Sequence, residues 1–291
     1  MKTIAVHSGD FQADDVFAVS IIRLLYPEIK IIRSRDEEVL KHADIRADVG
    51  GKYDPSTHDF DHHQKGGAGM RENGIPYSSA GLVWKHFGKK LVSSDEVFNY
   101  IDEKIVQWID ADDNGVDTFE VKKLDPYTIA DFIHDSNPYW PERNDEMYYS
   151  NFAWAVEVIT KLLRQKIGRA ESIIKARKIV REKIKASKNE YLVFEESLPW
   201  KETVITESNI LYVVIPDALG KAWIVYAVPV SLNSFTNRKN LPKEWAGLTN
   251  EALQKVTGVA DATFCHNKLF VAAAKSKEGA LRLVELALAN K

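Results

Sequence analysis

The first half of the chain alternates short apolar runs with amphipathic stretches. Thr3–Val6 and Glu28–Arg33 are β-branched runs that predict strands, and a short apolar segment ends at Ala47–Val49. Between the first two, Asp14–Leu25 predicts a helix because its apolar residues recur at helical spacing and acidic residues open it. This alternation predicts an α/β fold with a parallel sheet, in which ligand sites lie at the carboxyl ends of the strands.

The second half has a different pattern. Phe152–Lys188 keeps helical spacing throughout, which predicts one long helix or two helices broken near Gly168. A β-rich region follows, and Glu278–Ala289 predicts a closing amphipathic helix. The strands predicted there are Tyr191–Phe194, Ile210–Ile215, Ala222–Val230 and Phe264–Ala273. We therefore expect a domain at 1–150, a linking helical segment at 151–190 and a smaller α/β domain at 191–291.

Composition narrows the class of protein only slightly. With 291 residues, 45% hydrophobic and 28% charged, the chain has an ordinary globular composition, which argues against disordered and low-complexity architectures. Its single cysteine, Cys265, leaves no intramolecular disulfide and fits a reducing compartment. The chain lacks both a signal-peptide core at its start and an apolar run long enough to span a membrane. We expect a soluble, cytoplasmic protein with no membrane partner.

The charge is unevenly distributed along the chain. A formal net charge of -3 excludes a uniformly basic protein. The window 151–190, however, holds eleven Lys and Arg against four Asp and Glu, so it carries +7 and the rest of the chain -10. Two interpretations stay open, a solvated helix face and a surface that contacts a polyanion backbone.

Histidine and aspartate stand where predicted strands give way to loops. No single one of them is diagnostic, but together they supply oxygen and imidazole donors from four separate junctions, a set that suits Mn²⁺, Mg²⁺, Fe²⁺ or Zn²⁺. Two cations about 3.5–4 Å apart would clamp the attacking and leaving oxygens of a phosphoryl transfer. The residues are His7, Asp14, Asp15, Asp48, Asp61, His62, His63, Asp110, Asp112 and Asp113.

Seven ordered motifs resemble the DHH phosphoesterase superfamily, and in particular its melanocyte-proliferating-gene (MYG-type) branch of metal-dependent nucleases. The segment from Asp48 to Gln64 contains the Asp-His-His triplet at 61–63 and carries the strongest likeness. The other motifs are His7–Asp15, Ser78–Trp84, Asp110–Gly115, Asn137–Trp140, Arg238–Leu248 and Phe264–His266. The resemblance therefore covers essentially the whole chain. It implies an N-terminal parallel-sheet domain, a linking helix and a smaller C-terminal domain, with the site in the cleft between the two domains.

The resemblance also implies roles for individual residues. His63 would be catalytic, orienting the phosphate or protonating the leaving oxygen. Asp48 would bridge two cations, and Asp110 would complete the second metal site, with Asp113 as its competitor for that role. The implied metal ligands are His7, Asp14, Asp48, His62 and Asp110. Asp61, Gln12 and Asp113 would support them, with Asp61 behind His62.

Two predicted substrate contacts have simpler alternatives. Ser79 lies where a helix N-terminus could hold a phosphate through its free amides, although a plain helix cap fits the same residues. Arg238 could pair with a phosphate or form a surface ion pair.

Two departures from the family pattern bear on activity. Gln12 stands where the family typically has His, and the stretch Lys268–Lys275 carries Ala where the family is rich in Gly. Both changes favour a non-catalytic relative that keeps the fold, whereas the intact triplet at 61–63 favours an enzyme.

We predict a divalent-metal-dependent phosphoesterase, a 3′–5′ exonuclease or oligonucleotide phosphodiesterase acting on single-stranded RNA. Its cofactors would be two divalent cations, Mn²⁺ first and Mg²⁺ as the alternative. The open alternatives are a non-catalytic metal- or nucleic-acid-binding relative and a pyrophosphatase-like hydrolase of small phosphoanhydrides. A homodimer is also left open.

Overall fold

The protein divides into two compact units, Met1–Glu171 and Ser172–Lys291. The computed structural model describes residues 1–120 and 123–290. Each unit contains one five-stranded sheet covered by helices, so the α/β class predicted from the sequence is confirmed. The division falls inside a long helix, at a point within the predicted linking segment 151–190.

The sheet of the first unit has the strand order β2-β1-β3-β5-β4. The first four strands in that order pair in parallel, and β4 runs antiparallel to β5 at the edge. Ile4, Ala5 and Val6 of the inner strand β1 are fully buried, as expected for a parallel strand covered on both faces. The strands are β1 (Thr3–Val6), β2 (Lys30–Arg33), β3 (Ile45–Ala47), β4 (Tyr53–Asp54) and β5 (Asp59–Phe60).

The helices that begin in the first unit are α1 (Ala13–Leu25), α2 (Glu37–Leu40), α3 (Ser79–Phe87), α4 (Asp95–Ile101), α5 (Gln107–Asp113), α6 (Ile129–His134) and α7 (Asp145–Ala186). Helix α1 packs against α3 and is buried continuously from Ala13 to Ile22. It is the helix predicted at Asp14–Leu25, and two acidic residues in its first turn complement the helix dipole. A π-helical turn at Asp102–Val106 joins α4 to α5.

Helix α7 runs through Gly168 without a break, which settles the choice between one helix and two. A glycine in a helix interior costs about 1 kcal/mol, too little to end a helix with apolar contacts on both sides of it. Leu163 and Ala170 supply those contacts, since both are buried.

The sheet of the second unit has the order β6-β7-β8-β10-β9, in which only β6 and β7 are parallel. Its strands are β6 (Tyr191–Val193), β7 (Tyr212–Pro216), β8 (Trp223–Ala227), β9 (Ala262–Cys265) and β10 (Val271–Ala274). Its helices are α8 (Lys201–Glu207), α9 (Asn250–Thr257) and α10 (Lys277–Ala289), the last packing on β8 and β10.

One predicted strand of this unit is wrong. Phe264–Ala273 is not one strand but parts of two, β9 and β10, which pair as a hairpin. The polar residues between them form a turn, in which the Leu269 amide donates to the His266 carbonyl over 2.8 Å. The Lys268 amide also donates to His266 Nδ1. The Ala-rich run 272–274 is thus a buried part of the sheet.

Among the described residues, every helix is too short or too polar to cross a membrane.

Two glycines offer a paired test of the helix packing. At Gly168 an added Cβ meets nothing within 4 Å outside the helix's own backbone, so Gly168→Ala should stabilise the protein by about 0.5–1 kcal/mol. At Gly81 in α3 the added Cβ would lie 2.2 Å from Asp110 Oδ2, so Gly81→Ala should destabilise it by about 1–3 kcal/mol. Chemical denaturation measures both, and shifts of the same sign would contradict the packing described here.

Candidate metal centre

The candidate site lies at one edge of the first unit's sheet. His7 follows β1, Asp48 follows β3 and the triplet 61–63 follows β5, and these strands are parallel neighbours in the sheet. Their carboxyl ends therefore meet at the same edge. Helix α1 begins beside this edge and contributes Asp14 and Asp15, while the last turn of α5 contributes Asp113.

Three overlapping groups of side chains could each hold a cation. In each group the donor atoms lie within 4.8 Å of one another. Asp48 belongs to two groups and His62 to two, so the three groups form one continuous cluster. The groups are His7, Asp15 and Asp48; Asp48, His62 and His63; and Asp14, His62 and Asp113.

Asp48 lies at the centre of this cluster and is almost completely buried. Its Oδ2 is 3.2 Å from His7 Nε2, and its Oδ1 is 3.4 Å from both His62 Nε2 and His63 Nδ1. Its backbone has φ of 56°, in the left-handed region that few non-glycine residues adopt. Such a conformation costs free energy and persists where the surroundings impose it, which is typical of functional sites. The position of Asp48 between two groups supports its predicted bridging role.

Several buried atoms in the cluster lack a hydrogen-bond partner. Both carboxylate oxygens of Asp14 are in this state, as are Asp113 Oδ2 and His62 Nε2. His62 Nε2 nevertheless lies 3.3 Å from Asp113 Oδ2 and 3.7 Å from Asp14 Oδ2. A buried polar atom without a hydrogen-bond partner costs about 1–3 kcal/mol. Oxygen and nitrogen atoms that converge without bonding one another therefore indicate a binding site for a ligand. Carboxylate and imidazole donors fit a divalent cation.

The electrostatics of the cluster lead to the same conclusion. Burial, together with the neighbouring carboxylates of Asp48 and Asp113, raises the pKa of Asp14 well above its usual value. Burial likewise raises the pKa of Asp113 to about 6. Burial lowers the pKa of His7, but its hydrogen bonds to Asp15 and Asp48 raise it further, to about 10. Raised carboxyl pKa values indicate that the carboxylates are crowded, and two divalent cations would balance the four carboxylates of the three groups.

Asp110, predicted as a ligand, lies outside the three groups. It is fully buried, and its Oδ1 accepts from the Ser78 amide, the Ser78 hydroxyl and the Gly81 amide. Its Oδ2 accepts from Arg71 Nε over 2.6 Å. Asp110 therefore ties α5 to the start of α3, and its two oxygens already accept four hydrogen bonds. Its predicted role as a ligand stays a prediction. Asp113, one helical turn further along α5, lies beside His62 instead.

Asp61 makes its hydrogen bonds to His63 and Gly51, and its predicted support of His62 stays a prediction. Its Oδ1 lies 2.8 Å from His63 Nδ1 and accepts from the His63 amide, while its Oδ2 accepts from the Gly51 amide over 2.6 Å. The side chain of Asp61 is buried, whereas that of His63 is 60% exposed. Asp61 therefore holds a solvent-facing imidazole at the edge of the cluster.

The other predicted site residues occupy distinct places. The hydroxyl of Ser79 is buried and donates to Asp48 Oδ1 over 3.2 Å. The side chain of Gln12 is exposed, and the Gln12 backbone N–H donates to Asp15 Oδ1 over 3.0 Å. Arg238, in the second unit, donates to the carbonyls of Ile210 and Ile205. Substrate contact by Ser79 and Arg238 stays a prediction, and in the structure both side chains make internal hydrogen bonds.

Asp15 is one of the candidate donors at the strand-to-loop junctions but not one of the ligands that the resemblance implies. Its Oδ2 lies 3.2 Å from His7 Nε2, and it forms part of the first group. The sequence feature that could have identified Asp15 as a ligand is the pair of adjacent aspartates at 14–15. At the start of a helix, adjacent residues point in different directions, so one doublet can reach two neighbouring positions.

A family model and curated relatives that match this chain carry the same family name. A family model described as "Uncharacterised protein family (UPF0160)", with the short name MYG1_exonuc, matches residues 3–288. The chain is 32% identical over 316 residues to a MYG1 protein of Schizosaccharomyces pombe, a match that covers 98% of this chain and 97% of that protein. It is 31% identical over 327 residues to the MYG1 exonuclease of Homo sapiens, covering 99% of this chain and 86% of that protein.

A solved structure, a pGpG-specific phosphodiesterase of Vibrio cholerae, aligns with 99% of this chain and 96% of its own at 14% identity and a TM-score of 0.31. That likeness is too low to bear on the chemistry of this chain.

Two aspartates of α5 provide a test of the cluster. Asp113→Asn should weaken divalent-metal binding by at least about tenfold, since it removes a charge beside His62 and Asp14. Asp112→Asn, on the same helix and exposed, is the matched control and should bind metal as the wild type does. Calorimetric titration with Mn²⁺ measures both, and equal affinities in the two variants would remove Asp113 from the site.

Asp110→Asn should act on stability instead. It removes one of the two carboxylates that pair with Arg71, which keeps its contacts with Asp102, so the loss should be about 1–3 kcal/mol. Denaturation should show this loss, and an Asp110→Asn variant of normal stability that no longer binds Mn²⁺ would restore Asp110 as a ligand.

Proposed function

We propose that this chain, which belongs to the MYG1 exonuclease family (UPF0160), is a divalent-metal-dependent 3′–5′ exonuclease that acts on single-stranded RNA or short oligonucleotides. Membership of that family classes the chain as a hydrolase of phosphodiester bonds. The observation that carries the proposal is the buried cluster around Asp48, with its converging and partnerless donor atoms. We revise the proposed ligand set to His7, Asp14, Asp15, Asp48, His62 and Asp113.

Divalent cations at this cluster would offset the charge of a phosphate and activate the attacking water. We propose Mn²⁺, with Mg²⁺ as the alternative, because both accept oxygen donors and tolerate imidazole. The chain's own residues do the rest. The hydroxyl of Ser79 holds the Asp48 carboxylate in place, and Asp61 orients the exposed imidazole of His63. His63 is then placed to protonate the oxygen that leaves phosphorus.

The size of an adjoining cavity favours a substrate larger than inorganic pyrophosphate. The cavity has a volume of about 1110 Å³ and is lined by His7, Asp48 and His63 of the cluster together with residues of α2 and of the loops after β2 and β3. Pockets for small molecules usually measure about 300–1,000 Å³, so this one accommodates more than inorganic pyrophosphate. The +7 charge of the window 151–190 also favours a polyanionic substrate.

One of the two observations that favour a non-catalytic relative, the replacement of a family histidine by Gln12, carries less weight once the cluster is considered. Gln12 replaces a family histidine, but the cluster assembles three candidate groups without the Gln12 side chain. The substitution therefore leaves a set of carboxylates and imidazoles sufficient for two cations.

A substrate panel tests the proposed function. With Mn²⁺ the wild type should release nucleotides from the 3′ end of a single-stranded oligoribonucleotide, and a chelator should abolish this. Asp48→Ala should show no turnover while keeping its circular dichroism spectrum. Pyrophosphate should be hydrolysed far more slowly. If pyrophosphate is the better substrate, or if no divalent ion gives turnover with any member of the panel, the proposal is wrong.

His63 can be tested through the leaving group. His63→Ala should lower kcat on a dinucleotide by about 100-fold, because the departing ribose oxygen needs a proton. Hydrolysis of bis(p-nitrophenyl) phosphate should fall much less, since p-nitrophenolate leaves without one. His134→Ala, which alters another histidine lining the same cavity, is the control and should affect neither substrate. Equal losses on both substrates would show that His63 acts on phosphate binding rather than on the leaving oxygen.

A further inference from the structure

Four cationic side chains line the cavity beside the candidate metal centre: Arg35, Lys41, Arg46 and Lys52. A substrate with several phosphates needs positive charge beyond the scissile position, so each of these cations is a candidate for a second phosphate contact. Cations already bound to carboxylates of the protein are poor candidates because a new anion must compete with the existing partner.

Three of the four are committed to internal contacts. Lys41 pairs with Glu38 over 2.5 Å, and Lys52 lies 3.0 Å from Asp54 and 3.4 Å from Asp59. Arg46 is the most constrained, since it pairs with Asp59 and also donates to backbone carbonyls, among them that of Ala43.

Arg35 differs from the other three. Its side chain is exposed and, within residues 1–120 and 123–290, forms no ion pair or side-chain hydrogen bond. The neighbouring Arg33 cannot substitute for it. The Arg33 guanidinium is bound to the carbonyls of Gly9 and Tyr148 and packs over the ring of Phe152.

The backbone around Arg35 is fixed although its side chain is free. The Ser34 amide continues the sheet pattern by donating to the Val6 carbonyl over 2.9 Å. The Ser34 hydroxyl accepts from the Asp36 amide, and Asp36 caps α2 by accepting from the Glu38 amide. A guanidinium on a rigid support loses less entropy when it binds than one on a mobile loop.

Arg35 also lies at the correct edge of the sheet. It follows β2, which pairs in parallel with β1, and β1 ends at His7 of the metal cluster. Arg35 and His7 thus extend from adjacent strand ends into one cavity.

We propose that Arg35 binds a second phosphate of the substrate, next to the one that is hydrolysed. The inference rests on the proposed function and deepens it, since it defines the substrate as an oligonucleotide with at least two phosphates. The planar guanidinium offers two parallel N–H donors that match two phosphate oxygens, a fit that the ammonium of Lys lacks. Arg35 is accordingly a substrate-binding residue that fixes the register of the chain on the metal centre.

The test compares three dinucleotides in Mn²⁺: one without a terminal phosphate, one with a 5′-phosphate and one with a 3′-phosphate. The wild type should prefer one phosphorylated form in kcat/KM, through a lower KM. Arg35→Ala should reduce that preference by at least about tenfold, the typical value of a charge-assisted hydrogen bond, because kcat/KM for the preferred form falls towards that of the unphosphorylated dinucleotide. Arg35→Lys should restore part of it. Lys41→Ala, a cation of the same cavity that is already paired, should keep the wild-type preference.

Calorimetric titration with methylphosphonate-linked analogues of the three dinucleotides gives a readout that does not depend on turnover. Arg35→Ala should lose the same preference in affinity. If the wild type hydrolyses all three dinucleotides equally well, or if Arg35→Ala keeps the preference, the inference is overturned while the proposed function survives. If the wild type hydrolyses none of them or any longer oligonucleotide, the proposed function fails first and the inference fails with it.

Discussion

The crowding of four carboxylates into one buried place is the constraint on which the rest of the first unit depends. Asp14, Asp15, Asp48 and Asp113 converge there with the imidazoles of His7 and His62. Buried charges are costly unless they are paired, and the imidazoles pair only some of these oxygens. A fold that accepts this cost must recover it from a ligand, and a divalent cation is the ligand whose chemistry fits the donors.

Two further buried aspartates, Asp110 and Asp61, have their carboxylate oxygens hydrogen-bonded by other groups of the protein. Asp110 accepts from amides at the start of α3 and pairs with Arg71, and Asp61 accepts from the Gly51 amide. These contacts connect α3, α5 and the loop after β5, and they hold Ser79 against Asp48. The distinction between ligand and scaffold therefore follows from whether the oxygens already have partners, a property of the fold and not of the sequence.

The same distinction explains which parts of the fold and of the site could be predicted from the sequence. Strand β1, helix α1 and the closing helix followed from the hydrophobic pattern. The junctions of strands and loops gave ten candidate His and Asp donors, and the family resemblance selected His7, Asp48 and His62 among them. The choice between Asp110 and Asp113 could not follow, because both lie on one face of α5 and the partners of Asp110, which are Arg71, Ser78 and Gly81, are distant in sequence. The hairpin of β9 and β10 was missed because its apolar strands flank a turn of only a few residues. Likewise, the isolation of Arg35 depends on the partners that its neighbours find in the folded protein.

The electrostatics also couple metal loading to substrate binding under the proposed function. Without cations, burial and mutual repulsion raise the pKa of Asp14 and Asp113, and the cluster lacks the divalent charge that would hold a phosphodiester. With cations bound, the same place attracts a phosphate, and Arg35 then sets where the next phosphate lies. Because this linkage is reciprocal, substrate must also strengthen metal binding by the same factor. Under the proposed function, such a site would gain affinity for nucleic acid on loading, so the free metal concentration would control both hydrolysis and substrate binding.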